Sequence, residues 1–406
     1  MTDAVDPVTD SRVLRIIVGS SMLSKVADWQ LGILIPLAVL EETDSVALSI
    51  ITIAMRGVAY VASPLLGAVI DRFDKRTIFA LSQLQQVLCL VLLAAFFSNQ
   101  VVIATLVLLS GAGGVASTIT GQFVLIPKLM SEPARPRAVA TLNSAIESSK
   151  LIGLVLGGAA FSSLGPTVAV LCVAGLYLVA GVVALLLPKV PSGVEKMSIR
   201  RDLAIGFRWV VKPEIMWLVL TMSMVNLSIG QLEPVLVTEL GQKGLDPRVI
   251  SGLLAMGMVM GAVASRLAPV ILSAWNPERR ILASQVVAFA GFSLIMTPEL
   301  PTKIAGYMLE CFAVAVSNVA SITYRQTTIP VEFAGRVNAT IRMFITGALP
   351  LSGFLYAMAS GLEGVLFWLP ALCIWAVAIA MWILYTYRSE GALAAVGLEG
   401  SKSGDH

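Results

Sequence analysis

Gly67-Ala-Val-Ile-Asp-Arg72 and Gly261-Ala-Val-Ala-Ser-Arg266 are two versions of one hexapeptide, each placed where a long apolar run gives out. A second pair keeps nearly the same spacing: Leu142-Asn143-Ser-Ala-Ile146 returns as Val337-Asn338-Ala-Thr-Ile341. From 67 to 261 and from 143 to 338 the offsets are 194 and 195 residues, so the chain reads as one unit written twice. The longest polar connection, Lys189 to Lys212, lies between the copies.

Composition says what kind of unit it is. Of 406 residues, 57% are hydrophobic and 13% charged, against roughly 45–50% and about 25% in a soluble globular chain. Too few charged residues remain to cover a surface that faces water, whereas a lipid-facing surface needs none. The charges are bunched, and the stretches between bunches approach the ~20 residues that cross a bilayer as a helix. Helices satisfy their own backbone in lipid, and the alternating strand pattern of a membrane barrel is absent. The expected fold is an all-α membrane protein with about twelve transmembrane helices in two six-helix halves. The spans fall near 14–40, 46–70, 77–97, 101–126, 139–163 and 166–188, then 214–238, 249–272, 280–298, 303–325, 336–359 and 363–387. The domains are an N-terminal bundle at 1–188, a cytoplasmic linker at 189–213, a C-terminal bundle at 214–388 and a cytoplasmic tail at 389–406. Within the linker, Ser198 to Trp209 is basic and amphipathic and is expected to lie along the membrane surface.

Loop charges orient the bundle. One alternating set of connections holds Arg72, Lys75, Arg76, Lys128, Arg135, Arg137, Lys189, Lys196, Arg200, Arg201, Arg279, Arg280, Arg325 and Arg336; the other holds Lys243, Arg248 and Lys303. Positive charge stays inside, so both termini are expected in the cytoplasm. The acidic segment from Met1 to Asp10 does not read as a cleavable signal peptide. Cys89, Cys172, Cys311 and Cys373 stand singly in apolar runs and are read as small hydrophobes, and the single histidine is His406. No metal site is therefore expected. No nucleotide-binding loop occurs, since Gly111, Gly113 and Gly114 lack the flanking strand and Lys-Ser/Thr of one. These glycines, with Gly153, Gly157 and Gly158, are expected to let helices pack closely. Met256 and Met260 share a helix face that serves either as core or as the wall of an adaptable cavity.

Ionisable residues inside the spans carry the functional signal, because each costs about 2.5–3.5 kcal/mol to bury at mid-membrane. Asp28, with Lys25 one turn before it and Arg56 in span two, is either a structural ion pair or part of a proton or substrate site. Glu147 and Arg342 are read as a latch between the halves on the cytoplasmic side, and Lys150 as snorkelling to that surface. Glu233 and Glu310 have no basic neighbour in sequence and are the candidate proton carriers.

The segment Gly67-Ala-Val-Ile-Asp71-Arg72-Phe-Asp74-Lys75-Arg76 resembles the Gly-x-x-x-Asp-Arg-x-Gly-Arg-Arg/Lys signature of the major facilitator superfamily, with Asp74 where the family has Gly. Ser24-Lys-Val-Ala-Asp28-Trp29, Ile126-Pro127-Lys-Leu with Asn143, and Arg325-Gln326-Thr-Thr-Ile-Pro330-Val-Glu332-Phe-Ala-Gly335-Arg336-Val337 resemble its macrolide and enterobactin exporter branch of drug:proton antiporters. Two features depart from that branch: Gly153-Leu154-Val-Leu-Gly157-Gly158 lacks the antiporter proline, and span four carries no arginine.

The resemblance implies a secondary active transporter that exports a small amphiphilic molecule, drug or siderophore, by alternating access with proton coupling. Two parallel halves suit this, because a site between them faces either side as they rock. Gly67, Asp71, Arg72, Lys75, Arg76 and Arg336 would form the cytoplasmic gate motif. The implied setting is the bacterial cytoplasmic (inner) membrane. The implied partners are the lipid bilayer, protons and the small-molecule substrate, for a monomer with no nucleic acid and no cofactor. A lysophospholipid flippase and a ferroportin-like metal exporter are the alternatives within the class. A passive channel or receptor is the alternative outside it. An enzyme is not expected, since no convergent nucleophile, base or metal-ligand set occurs.

Overall fold

Residues 7–96, 99–190, 199–271 and 273–402 are described by the structure, a computed structural model, and among them every regular element is helical. The side chains of Asp71, Arg200, Arg201, Glu332 and Arg336 lie outside the described residues, as do Lys196, His406, part of the linker (191–198) and the end of the tail (403–406).

The helices are α1 Pro7–Thr43, α2 Val46–Val58, α3 Ser63–Arg72, α4 Lys75–Ala95, α5 Gln100–Thr118, α6 Ile126–Leu129, α7 Arg135–Ala184, α8 Ile199–Val210, α9 Pro213–Ile229, α10 Leu232–Gln242, α11 Pro247–Leu267, α12 Pro277–Ile295, α13 Leu300–Thr328, α14 Val331–Ala359 and α15 Val365–Lys402. Among the described residues, nine stretches are long and apolar enough to cross a membrane. One of the nine, Glu132–Ala184, contains two of the expected spans. A 50-residue helix would rise about 75 Å, more than twice the ~30 Å of a bilayer's hydrocarbon. Gly165, at φ 74°, takes a left-handed conformation open to glycine, and Pro166 starts the next helix. Val46–Val58 is apolar but short, and α12 occupies the place of the remaining span.

Three spans read from the sequence as single helices are interrupted. Span two breaks into a turn at 59–62 before Pro64 opens α3. Span four passes through a π-helical turn at Ile119–Leu125 into α6. Span seven breaks at Gly230 and Gln231 ahead of α10. Hydropathy counts apolar residues and is blind to such breaks. Ends are better signalled: Ser45, Asp74 and Asn99 cap α2, α4 and α5, accepting from the backbone N–H of Leu48, Thr77 and Val102.

By packing, the chain divides into two compact units, Met1–Lys196 with Gln231–Met258 and Leu349–Ser360, and Met197–Gly230 with Val259–Ala348 and Gly361–His406. The expected boundary at 189–213 falls at the end of the first stretch, but 231–258 and 349–360 group with the N-terminal helices. The cause is close packing. A Cβ on Gly241 would meet Leu37 and Leu40 of α1, one on Gly158 would meet Pro247 and Ser251, and one on Gly353 would meet Ala54 and Ile50.

Inside the first unit, Gly153 and Gly157 bring α7 onto the Val26–Gln30 turn of α1, and Gly111 sits against the backbone of Arg56. The glycines of spans four and five thus do what the sequence leads one to expect. In the second unit, Gly291 of α12 and Gly306 of α13 press backbone to backbone. Trp375 is fully buried against Phe289 and Phe292. Met256 is 46% exposed, so it does not serve as core. All four cysteines are free.

The repeat has a structural counterpart within each unit. Gln83 of α4 donates to Ser117 of α5 at 2.6 Å, and Gln285 of α12 donates to Ser317 of α13 at 2.8 Å. Both pairs are buried, and each ties the same two helices of its half.

Candidate functional site

Lys25 and Asp28 stand three residues apart on α1, the spacing that puts two side chains on one helix face. The opposite face of that turn, Val26, Trp29 and Gln30, packs on Gly153 and Gly157. The charged face therefore turns away from α7's first half, toward α2 and α5. Lys25 Nζ donates to Asp28 Oδ2 at 2.7 Å and to Thr118 Oγ1 at 2.8 Å. Arg56, on α2, bonds the other carboxylate oxygen through Nη2. It also donates to Ser110 at 2.8 Å, Tyr177 at 2.9 Å and Gln86 at 3.1 Å. Tyr177, fully buried in the second half of α7, donates to Asp28 Oδ1 at 2.5 Å.

Five helices thus meet at this cluster, three of them, α1, α2 and α7, at the carboxylate itself. Glycine makes the meeting possible: a Cβ on Gly114 would lie 3.2 Å from Arg56 Nη2, and one on Gly111 would collide with the Arg56 carbonyl. The structure joins the three residues the sequence singled out, Lys25, Asp28 and Arg56. It adds Tyr177, Gln86, Ser110 and Thr118, which lone polar residues in apolar runs do not announce. Two cations share a single carboxylate, and each of the three charged side chains keeps 14–15% of its surface accessible. Leu31, Ile35, Ile53, Leu90 and Val107 surround Arg56 and Ser110 and leave no room for a water molecule between them.

The remaining candidates lie elsewhere. Glu147 pairs with Lys150 at 2.8 Å, and Lys150 Nζ stands 5.7 Å from the centre of the Trp29 ring. Glu233 opens α10 just after the break at Gly230 and Gln231. The sequence gives it no basic neighbour, but folding brings the charge of Lys150 within its reach. Glu310 is buried on α13, its backbone against Gly291. Arg342 lies in α14 of the other unit, where Arg325 donates to Asn338 at 3.2 Å. Among the described residues, no group of three His, Cys, Asp or Glu comes together to hold a metal.

The Gly67–Arg76 segment is built as a strap. Gly67 is in α3, and Arg72, its last residue, is exposed. Lys75 is fully buried, with Nζ donating to the Ile70 carbonyl at 2.6 Å. Asp74 accepts from the Thr77 backbone and hydroxyl at 2.9 and 2.8 Å and from the backbone N–H of Val190 at 2.7 Å. The Lys75 N–H returns a bond to the Val190 carbonyl at 3.0 Å, and Arg76 reaches Leu187 at 3.4 Å. Burial works against the Asp74 charge, but the bonds from Thr77 and Val190 outweigh it and hold this carboxyl below the usual carboxylate range.

Comparison with known proteins agrees with this architecture. The pattern of one family, the Major Facilitator Superfamily, matches residues 17–351. No curated protein sequence matches the chain. Among solved structures it is similar to a bacterial homologue of the iron transporter ferroportin in an inward-facing state, at 15% identity and a TM-score of 0.71 over 92% of this chain and 98% of that one. It is similar to the nucleoside transporter NupG at 13% identity and a TM-score of 0.70, over the same shares. A bacterial homologue of the human lysosomal transporter Spinster, inward-facing and unoccupied, gives 12% identity and a TM-score of 0.72 over 94% of this chain and 98% of that one. At such identities the likeness concerns the fold.

Proposed function

We propose that this chain, which belongs to the Major Facilitator Superfamily, is a secondary active transporter that exports a small amphiphilic molecule by alternating access, driven by protons. The observation that carries the reading is the charge cluster of Lys25, Asp28 and Arg56, closed by Tyr177: Lys25 and Asp28 lie mid-way along α1, which is long enough to cross a bilayer, and Arg56 lies in the last turn of the shorter α2. Charges are kept at such a depth only where they pair and do work. Asp28 with its two cations holds the substrate. Glu233 and Glu310 carry the proton. The Gly67, Asp71, Arg72, Lys75, Arg76 and Arg336 motif, with Glu147 and Arg342, gates the cytoplasmic side. The setting is the cytoplasmic membrane of a bacterium, with both termini inside and the protein working as a monomer.

The similar solved structures are named as a nucleoside transporter, a metal transporter and a homologue of a lysosomal transporter, so they do not single out one cargo. A divalent metal is disfavoured at Asp28, whose oxygens already accept from two cations and a phenol. An amphiphile suits the apolar side chains of Leu31, Ile35, Ile53, Leu90 and Val107 that surround Arg56.

The test is flux into proteoliposomes under an imposed pH gradient, with a panel of drugs, siderophores and lysolipids. Gradient-dependent, saturable uptake of at least one compound is expected, lost in Asp28→Asn. Flux without saturation would mark a channel, and no flux for any compound would end the transporter reading.

A further inference from the structure

We propose that the substrate bound at this cluster is an anionic amphiphile whose carboxylate or phosphate completes the charge balance left open by Lys25 and Arg56. The inference rests on the reading of this cluster as the substrate site, and it names the chemistry that site accepts.

The argument begins with a count of charges. Lys25 and Arg56 bring two positive charges to a place where Asp28 brings one negative charge. Arg56 stays protonated whatever its surroundings. Tyr177 supplies a phenol, neutral near pH 7. Among the described residues of the first unit, the other carboxylates with assigned partners are engaged elsewhere. Glu147 bonds Lys150, Asp74 bonds Thr77 and Val190, and Asp246 accepts from Ser162 and from the Arg248 backbone. Glu233 sits in the field of Lys150. Among the described residues, one positive charge in the cluster is therefore left without a protein counter-charge, a condition that a ligand anion relieves.

Geometry says where the anion meets the protein. An ammonium has three hydrogens, and Lys25 commits two of them, to Asp28 and Thr118. The third remains on a head group that keeps 14% of its side chain accessible. Arg56, 15% accessible, is surrounded by Leu31, Ile35, Ile53, Leu90 and Val107. An acidic head would meet the accessible part of Lys25 beside Arg56, and the apolar side chains around Arg56 suit the body attached to it. A cationic amphiphile would add a third positive charge there, and a neutral one would leave the imbalance in place.

Isothermal titration of the purified full-length chain in a nonionic detergent tests this with one scaffold and four heads: 2-naphthylacetate, 2-naphthyl phosphate, 2-naphthylacetamide and 2-naphthylethylamine. At least tenfold tighter binding of an anion than of both the amide and the amine is expected, and whichever anion wins separates a carboxylate from a phosphate source. Lys25→Gln should bring the winning anion to within threefold of the amide, and Lys25→Arg should keep the preference. Lys25→Gln leaves the Arg56–Asp28–Tyr177 bonds in place; if it nonetheless fails to fold, the ranking of the four heads on the wild type decides alone. Equal or tighter binding of the amide or amine, or no binding of either anion, overturns the proposal. So does binding of inorganic phosphate as tight as that of the naphthyl anions, which would mean a counter-ion only. An anion that binds selectively but shows no counterflow would remove the transporter reading and leave this inference standing. Saturable export of an amine would do the reverse.

Discussion

Asp28 accepts from Lys25, Arg56 and Tyr177 at once, so its removal strands two like charges in a low-dielectric site. Breaking one partner out of a buried ion pair costs about 3–5 kcal/mol. Asp28→Asn is expected to lower the unfolding temperature in detergent sharply, and Asp28→Asn with Arg56→Gln to recover part of the loss. Additive losses in that double-mutant cycle would mean the two side chains do not interact. Asp74 gives a smaller and pH-dependent effect. It caps α4 and ties that helix to Val190, and Asp74→Ala should cost about 1 kcal/mol, in the range of a lost cap. Because its carboxyl is held below the ordinary range, its contribution is fully present above the ordinary carboxylate pKa. The contribution disappears as pH falls through the lowered folded value. Unfolding of Asp74→Ala followed from neutral to acid pH should converge on the wild type at the acid end; a constant gap would remove the carboxylate from the explanation. A glycine in the family signature would allow the turn at this position, whereas the aspartate here also links the loop to the end of the sixth span.

At the scale of helices, close approach decides most of the packing, and it can be tested glycine by glycine. Gly111 faces the backbone of Arg56, so Gly111→Ala must push α5 from α2, at about 1–3 kcal/mol for an overpacked contact. Gly19 has nothing within 4 Å of where its Cβ would be. Gly19→Ala should stabilise α1 by about 0.4–1 kcal/mol. Denaturation of the two variants side by side checks this, and a similar loss in both would refute the role given to Gly111. Helix positions were largely legible in the sequence, since runs of about 20 apolar residues admit few other arrangements in lipid. The breaks at 59–62, 119–125 and 230–231 were not, because they change backbone geometry without changing hydropathy. Lys25 and Asp28 could be paired from their spacing alone. Glu147 and Lys150 have the same spacing and were open to the same reading; the influence of Lys150 on Glu233 was not, because Glu233 is more than 80 residues away in the chain and no local pattern links them. The Gln83–Ser117 and Gln285–Ser317 bonds were equally hidden, though their near-equal offset is a signal a finer repeat search would find.

For the whole molecule, a multi-pass membrane protein of this superfamily, the proposed function requires that the working charges of the N-terminal unit lie on a path that opens to each face in turn. That claim can be tested without knowing the cargo. Ser110 bonds Arg56, and Ser110→Cys leaves a small reactive group beside it. With Cys89, Cys172, Cys311 and Cys373 replaced by alanine, oriented vesicles are treated with a membrane-impermeant thiosulfonate from one face or the other. Alternating access predicts modification from both faces, and a lock that holds one face shut should abolish labelling from that face alone. Labelling confined to a single face under every condition, or to neither, would contradict the central claim.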